Sequence, residues 1–187
     1  MKIEKIESDN YYHIYNRGNN GQDIFIEDIN FNYFLELIKK YLLPISKIYS
    51  YCLLQNHFHI LLKIDKECKN PSRSFSNLFN AYTKAINKKY GRTGSLLEKP
   101  FKRIKITDES YLKMLILYIH LNPVHHRISI NFNNYKYSSY QSILSLGKTN
   151  IQRNEVLRLF DNKANFIATH LDRKTYISER NNALFLE

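Results

Sequence analysis

The chain has 187 residues, of which 43% are hydrophobic, so composition predicts one globular domain with a sizeable core and argues against a disordered chain. The formal net charge of +11 indicates an acidic partner such as a nucleic acid. No apolar run approaches the ~18 residues of a membrane span, and the N-terminus lacks the apolar core of a signal peptide, so we expect a cytoplasmic protein without membrane contacts.

Along the chain, the hydrophobic pattern alternates between strand and helix periodicity. Strands are predicted at 11–15, 45–54, 58–64 and 101–106, and helices at 28–43, 71–90 and from residue 108 onward. Gln55 and Asn56 form a tight connection, so the second and third strands are expected to pair as a hairpin. This β-α-β-β-α-β-α order predicts an α+β, ferredoxin-like (split βαβ) antiparallel sheet with helices on one face.

The pattern becomes helical and more polar from Tyr140 onward. Candidate helices lie near residues 155–160 and 164–171. We therefore predict a first unit over residues 1–140, followed by a short C-terminal helical extension over residues 141–187.

Two histidines, His57 and His59, flank Phe58 where the third predicted strand begins. Successive side chains of a strand point to opposite faces, so both imidazoles are expected on one face and Phe58 in the core. Two imidazoles presented by a rigid element can serve as a pair of metal ligands. The pattern is short, and two ordinary surface histidines would produce it equally well.

The helix that begins near residue 108 carries a second polar pattern towards its end. Its apolar stripe must pack on the sheet, and Tyr118 and Asn122 lie at the edge of that stripe, one turn apart. Pro123 disfavours helical geometry at the preceding residue, which places Asn122 in the last turn or just beyond it. By spacing alone, Tyr118 is equally an ordinary boundary tyrosine and Asn122-Pro123 a helix stop.

Positive charge is concentrated in residues 84–105, which contain eight basic residues and one acidic residue, Glu98. This distribution is typical of a surface that binds nucleic-acid phosphates, although a solvated helix face would also account for it. The many tyrosine and phenylalanine side chains offer rings on which unpaired bases can stack. The candidate DNA-binding residues of this segment are Lys84, Lys88, Lys89, Arg92, Lys99, Lys102, Arg103 and Lys105.

Taken together, these stretches resemble the single-tyrosine HUH transposases, named for a His-hydrophobic-His motif, and most closely the branch called REP-associated tyrosine transposases. The resemblance spans roughly residues 11–140. The matching segments are YHIYNRG at 12–18, YCLLQNHFHILLK at 51–63, RTGSL at 92–96 and YIHLNPV at 118–124. Gln55, the segment 98–100 and the pair His125-His126 depart from the family's usual pattern.

The resemblance implies a transposase-type endonuclease and strand transferase acting on single-stranded or hairpin DNA. By this resemblance, Tyr118 is the nucleophile that forms a 5′-phosphotyrosyl bond. His57, His59 and Asn122 correspond to the ligands of Mg²⁺ or Mn²⁺. Arg17, in the first matching segment, joins the candidate DNA-binding residues. Such a protein would be nucleoid-associated when bound to DNA, as a monomer or a homodimer.

Two other classes of function are compatible with parts of the pattern. A ferredoxin-like sheet rich in aromatic residues is also used by non-catalytic modules that bind single-stranded nucleic acid, although the signature motifs of RNA-recognition domains are absent. A zinc hydrolase would need a third strong ligand and a general base, for which His13 and Glu98 are the candidates. Neither class accounts for the YIHLNPV segment.

Overall fold

In the computed structural model, which describes residues 4–183 and side chains as far as residue 177, four antiparallel strands form one sheet. The strands are β1 (Tyr11–Arg17), β2 (Ser46–Leu54), β3 (His57–Ile64) and β4 (Lys102–Ile106). The helices are α1 (Asp28–Tyr41), α2 (Pro71–Lys89), α3 (Glu109–His125), α4 (Tyr140–Leu144), α5 (Arg153–Leu159) and α6 (Lys163–Ala183). The strand order β2-β3-β1-β4 confirms the predicted ferredoxin-like arrangement.

Local signals in the sequence explain where the first three helices begin. Before α1, the Glu27 side chain accepts from the backbone of Asn30, whose side chain accepts in return from the Glu27 N–H. Helix α2 begins with Pro71, a position where proline costs no intrahelical hydrogen bond. Helix α3 is capped by the carboxylate of Asp108, which accepts from the backbone N–H of Tyr111 at 2.8 Å.

Helices cover both faces of the sheet, and most of β3 is buried on both sides. On one face, Phe58 packs against Phe34 of α1 and Phe79 of α2, with ring centroids 4.9 and 5.6 Å apart. On the other face, α3 lies across β2 and β3 and brings Tyr118 to within 5.4 Å of the His59 ring. The prediction of helices on one face therefore holds for α1 and α2, whereas α3 supplies the second layer that buried strands require.

The last helices pack on this second layer. Helix α6 is longer than predicted and contacts α3 along the face that points away from the sheet. The fully buried side chains of Ile143, Val156 and Phe166 belong to the same hydrophobic core as the sheet. No helix in the described part of the chain is both long enough and apolar enough to cross a membrane. The proposed division at residue 140 stays a prediction.

Gly18 anchors the end of β1 to the turn between β2 and β3. Its backbone N–H donates to the carbonyl oxygen of Asn56 at 2.8 Å. A Cβ atom at this position would lie 1.9 Å from the carbonyl oxygen of Gln22, so no other residue fits without a shift of the backbone. This contact holds the turn that precedes His57 in place.

Candidate active site

One face of the sheet carries a cluster of histidine and tyrosine side chains that lies opposite α3. Pairing of β1 with β3 sets Tyr15 opposite His59 and Arg17 opposite His57. Directly paired residues share a face of the sheet, so the first strand contributes to the same surface as the histidine strand. His57 and His59 emerge together, as the strand alternation predicts, and Phe58 is fully buried on the opposite face.

Each of the two histidines has a hydrogen-bond partner at Nδ1. His57 Nδ1 lies 2.6 Å from Oδ1 of Asn56, and because an amide oxygen only accepts, the proton is on Nδ1 and Nε2 keeps a free lone pair. His59 Nδ1 lies 2.9 Å from Nε2 of His13. With His59 as the donor in this contact, both Nε2 atoms of the pair are available to an ion.

Burial keeps all three imidazoles neutral. Burial, followed by the positive charge that His126 can carry, lowers the pKa of His57 to about 4, and the nearby oxygen of Asn122, which favours the protonated ring, opposes this shift. Burial lowers the pKa of His13 to about 4 as well. The pKa of His59 lies well below its ordinary value of 6.5, first through burial and then through repulsion by His13 and His57. At neutral pH these side chains are in the form that binds metal ions.

Asn122 lies fully buried in the last turn of α3, which continues through Pro123 to His125. Its Nδ2 donates to the carbonyl oxygen of Tyr118 at 2.9 Å, so Oδ1 is the free end of the amide. That oxygen lies 3.5 Å from Nε2 of His57. Because the His57 proton is on Nδ1, His57 Nε2 and Asn122 Oδ1 are both acceptors. Two lone pairs therefore face one another, and a cation between the two atoms could be bound by both.

Tyr118 lies beside the histidine pair of its own chain. Its ring is edge-on to both His59 and His13, with centroids 5.4 and 6.4 Å away. The residue is 38% exposed, so a substrate can reach it. Burial raises the pKa of the Tyr118 hydroxyl above its ordinary value of 10, with a hydrogen bond to Asn122 opposing the shift. The phenol is therefore protonated at neutral pH and needs activation before it can act as a nucleophile.

An open cleft of about 450 Å³ connects these groups. Besides the two histidines and Tyr118, its walls include Arg17, Glu98 and Lys102. The Nε atom of Arg17 lies 2.5 Å from Oε1 of Glu98, which leaves the guanidinium largely exposed at the mouth of the cleft. Two cations against one carboxylate favour an anionic ligand here.

The positions of His13 and Glu98 do not favour a zinc hydrolase site. Among the side chains described, those of residues 4–177, no three of His, Cys, Asp or Glu converge closely enough to hold a metal ion. His13, the candidate third ligand, instead contacts His59 Nδ1, and the candidate base Glu98 is ion-paired. A cation at this site would depend on the histidine pair and the amide oxygen of Asn122, together with oxygen atoms of a substrate or water.

The candidate DNA-binding residues occupy several regions of the surface. Arg17 and Lys102 line the cleft, whereas Arg103 faces α2 on the other side of β4. Lys105 lies on the same side as Arg103 and forms an ion pair with Glu7 at 2.8 Å. The others lie on α2 or in the loop that follows it, namely Lys84, Lys88, Lys89, Arg92 and Lys99.

Four side chains surround the histidine pair in places that sequence patterns did not indicate, although His13 was already a candidate zinc ligand. Asn56 and His13 hold the two Nδ1 atoms, Tyr15 lines the cleft, and the ring of His126 lies 4.5 Å from that of His57. The alternation of β1 does put His13 and Tyr15 on one face. Only the pairing of β1 with β3, which joins residues 40 or more positions apart, shows which histidine they meet.

Comparison with known proteins addresses the fold. No family model matches the sequence, and no curated protein matches it. A solved structure of a REP-associated tyrosine transposase bound to a REP hairpin superposes with a TM-score of 0.65 at 12% identity, over 79% of this chain and 86% of that chain. The two chains share one fold. At this level of identity the activity has to be argued from the residues of this chain.

Proposed function

We propose that this protein is a divalent-metal-dependent, transposase-type endonuclease that cuts and rejoins single-stranded or hairpin DNA, with Tyr118 as the nucleophile. The observation that carries the proposal is the position of Tyr118, whose accessible ring faces the neutral His59 in a cleft that His57 also lines. A hydrolase that activates water has no need of a tyrosine there. The solved transposase of the same fold is bound to a REP hairpin, which supports a DNA hairpin as the class of ligand.

The donor atoms at the site fit Mg²⁺ or Mn²⁺. His57 Nε2 and Asn122 Oδ1 face one another at 3.5 Å, and His59 can add a second imidazole nitrogen. Imidazole and amide ligands in this number leave coordination positions for phosphate oxygens. When bound, the ion polarises the scissile phosphate and offsets the negative charge that develops on it.

Tyr118 carries out the covalent step. Its hydroxyl oxygen attacks phosphorus and forms a phosphotyrosyl bond to the 5′ side of the cut, while the bond from phosphorus to the 3′ oxygen breaks. The phenol loses one proton and the departing 3′ oxygen gains one, so no further reactant is consumed. Because the new bond is again a phosphodiester, a second 3′ hydroxyl can reverse the step and join two strands without ATP.

The first prediction concerns Tyr118 itself. Replacing it with Phe keeps the ring and its packing, so the free energy of unfolding should change by no more than about 1 kcal/mol. Cleavage and joining should fall below detection, because no other hydroxyl occupies the same position. Labelled single-stranded and hairpin DNA incubated with Mn²⁺ and run on a denaturing gel should give a slow, covalent band with the wild type only.

Tyr33→Phe is the matched control, since Tyr33 is also partly exposed but lies on α1, on the far side of the sheet. It should give the wild-type band. A band that persists in Tyr118→Phe would identify another nucleophile. DNA binding without a band from any variant would favour the non-catalytic binding module.

A further inference from the structure

A second pocket, of about 380 Å³, lies next to the cleft on the same face of the sheet. Tyr15, His59 and Tyr118 line both spaces, so the Tyr118 ring forms part of the wall between them. The remaining walls come from β4, from the exposed side of α3 and from α6. A group held in this pocket would therefore sit immediately beside whatever Tyr118 attacks.

The walls of this pocket are apolar and aromatic. Ile104 of β4 and Met114 of α3 line it and are 37% and 50% exposed. Tyr111 lies one turn before Met114 and adds a second ring. Apolar and aromatic walls of this kind hold a flat ring by stacking and by exclusion of water.

One end of the pocket is polar. Arg173 of α6 and His125 at the end of α3 line it, and the guanidinium of Arg173 also lies over the Tyr176 ring, 5.0 Å from its centroid. Helix α6 is held against α3 by a buried hydrogen bond of 2.9 Å between His120 and His170, which fixes the position of Arg173 relative to the pocket. A guanidinium at this end can donate to the carbonyl oxygen of a base or to a neighbouring phosphate.

We propose that this pocket receives one unpaired base of the DNA strand, from a nucleotide directly next to the phosphate that Tyr118 attacks. The inference rests on the proposed function and adds to it a subsite that selects an unpaired base. We call this space, lined by Ile104, Tyr111, Met114, Tyr118 and Arg173, the base pocket. A base inside a duplex cannot enter it, because both its faces are stacked and its edge is paired.

The base pocket also explains how the phosphate could be positioned. Seating the flanking base fixes one side of the scissile phosphate, while Arg17 and Lys102 at the cleft hold the backbone on the other. Fixing both sides of a flexible strand converts a loosely bound phosphate into one aligned for in-line attack. Loss of the base should therefore lower the rate of cleavage as well as affinity.

The test uses hairpin oligonucleotides with single-stranded flanks in which 2-aminopurine replaces each flank base in turn. They are bound to Tyr118→Phe, which keeps the strand uncut. Stacking quenches 2-aminopurine, so one flank position should be quenched on binding. Adding Met114→Ala should abolish that quenching and weaken binding about tenfold, in line with the loss of one base contact. Met114 is half exposed, so its replacement is not expected to unfold the protein.

Leu146→Ala is the matched control, because Leu146 is 99% exposed and lies in the loop after α4, outside both the cleft and the base pocket. It should leave the quenching unchanged. If no flank position depends on Met114, the base pocket is wrong. The same holds if Leu146→Ala removes the quenching as effectively as Met114→Ala.

Wild-type cleavage separates this inference from the proposed function. The quenched position should be next to the site of cleavage. An abasic residue at that position should lower the rate of cleavage by the wild type but have little effect on the rate of cleavage by Met114→Ala. If neither the abasic residue nor Met114→Ala changes the rate of cleavage, the proposed nuclease activity stands and the base pocket is wrong. A different outcome is also possible, in which quenching at one flank position depends on Met114 but the wild type never cuts the strand. That result would contradict the proposed nuclease activity, and with it the proposal that the bound base lies next to the phosphate that Tyr118 attacks.

Discussion

At the scale of single residues, the partners of the two histidines decide what each imidazole can do. Asn56 holds the proton of His57 on Nδ1, and His13 is placed to accept the corresponding proton of His59. Both contacts leave Nε2 available, and both histidines line the cleft that Tyr118 also lines. We therefore expect His13 to act as a positioning residue for His59, which its Nε2 contacts, rather than as the zinc ligand that the sequence left open.

His13→Leu should weaken the affinity of the site for the metal ion without unfolding the protein. Leucine fills much of the same buried space but cannot accept from His59 Nδ1. Second-sphere partners of this kind typically contribute a factor of about 10–100 in metal affinity. We expect the Mn²⁺ concentration that gives half-maximal cleavage to rise by about that factor.

His13→Gln provides the control for this experiment, because its side-chain oxygen can still accept. It should show a smaller rise than His13→Leu, and both variants should unfold at the same temperature in the absence of metal. Equal Mn²⁺ dependence in the wild type and both variants would exclude His13 from the site.

At the scale of secondary-structure elements, a chain of buried hydrogen bonds joins α3 to α6 and to β2. His170 Nδ1 donates to the carbonyl oxygen of Phe166 at 2.7 Å, so its Nε2 must accept from His120 Nδ1. His120 Nε2 then accepts from the hydroxyl of Ser139, which in turn accepts from the backbone N–H of Tyr51. Each of these bonds has one donor and one acceptor. This pattern requires both histidines to be neutral, because a protonated imidazole has no acceptor nitrogen.

This chain of bonds predicts that acid destabilises the protein. Burial lowers the pKa of His170 to about 4, against the opposing hydrogen bond to Phe166, whereas the unfolded chain keeps a value near 6.5. Below pH 6.5 the unfolded state therefore takes up a proton that the folded state does not. The contribution of His170 to stability is complete above pH 6.5 and is lost between pH 6.5 and about 4, by at most ~1.4 kcal/mol per pH unit.

Urea unfolding of the wild type and His170→Gln at several pH values would measure this contribution. Glutamine can still donate and accept but does not titrate. The free energy of unfolding of the wild type minus that of the variant should be constant above pH 6.5. It should decrease as the pH falls towards 4, because only the wild type has a titrating side chain at position 170. A difference that stays constant over the whole range would show that His170 has an ordinary pKa.

At the scale of the whole molecule, the positive charge is divided between the two faces of the sheet. In β4, Lys102 pairs with Tyr15 and faces the cleft, whereas Lys105 pairs with Tyr12 on the face covered by α1 and α2. Lys105 is also ion-paired with Glu7. The two lysines are three positions apart in the strand and point to opposite faces, so of the two only Lys102 is placed to contact a strand bound in the cleft.

Binding of single-stranded DNA should weaken steeply with salt, and Lys102→Gln should change that dependence. Each lost phosphate contact reduces the slope of log K against log[salt] by about 0.7 for a single strand. We expect a change of this size for Lys102→Gln and a smaller one for Lys105→Gln, measured by fluorescence anisotropy at several salt concentrations. Equal slopes for both variants would indicate that the strand follows β4 on both faces.

The sequence by itself determined the features that depend on local periodicity. Alternation along β3 puts His57 and His59 on one face, and helical spacing puts Tyr118 one turn from Asn122. The strand and helix order was sufficient to predict the ferredoxin-like sheet, which the structure confirms. These patterns can be read from residues a few positions apart, because backbone geometry alone fixes which side chains are neighbours within one element.

Only the tertiary structure decided how these elements meet. It brings His13 to His59, lays α3 on the face opposite α1 and α2, and places Arg173 of α6 beside Tyr118 in the base pocket. It also shows that α3 continues through Pro123, so that Asn122 stays within reach of His57. Such contacts join residues far apart in the chain, and they depend on which apolar faces cover one another in the packed core, a choice that no local pattern specifies.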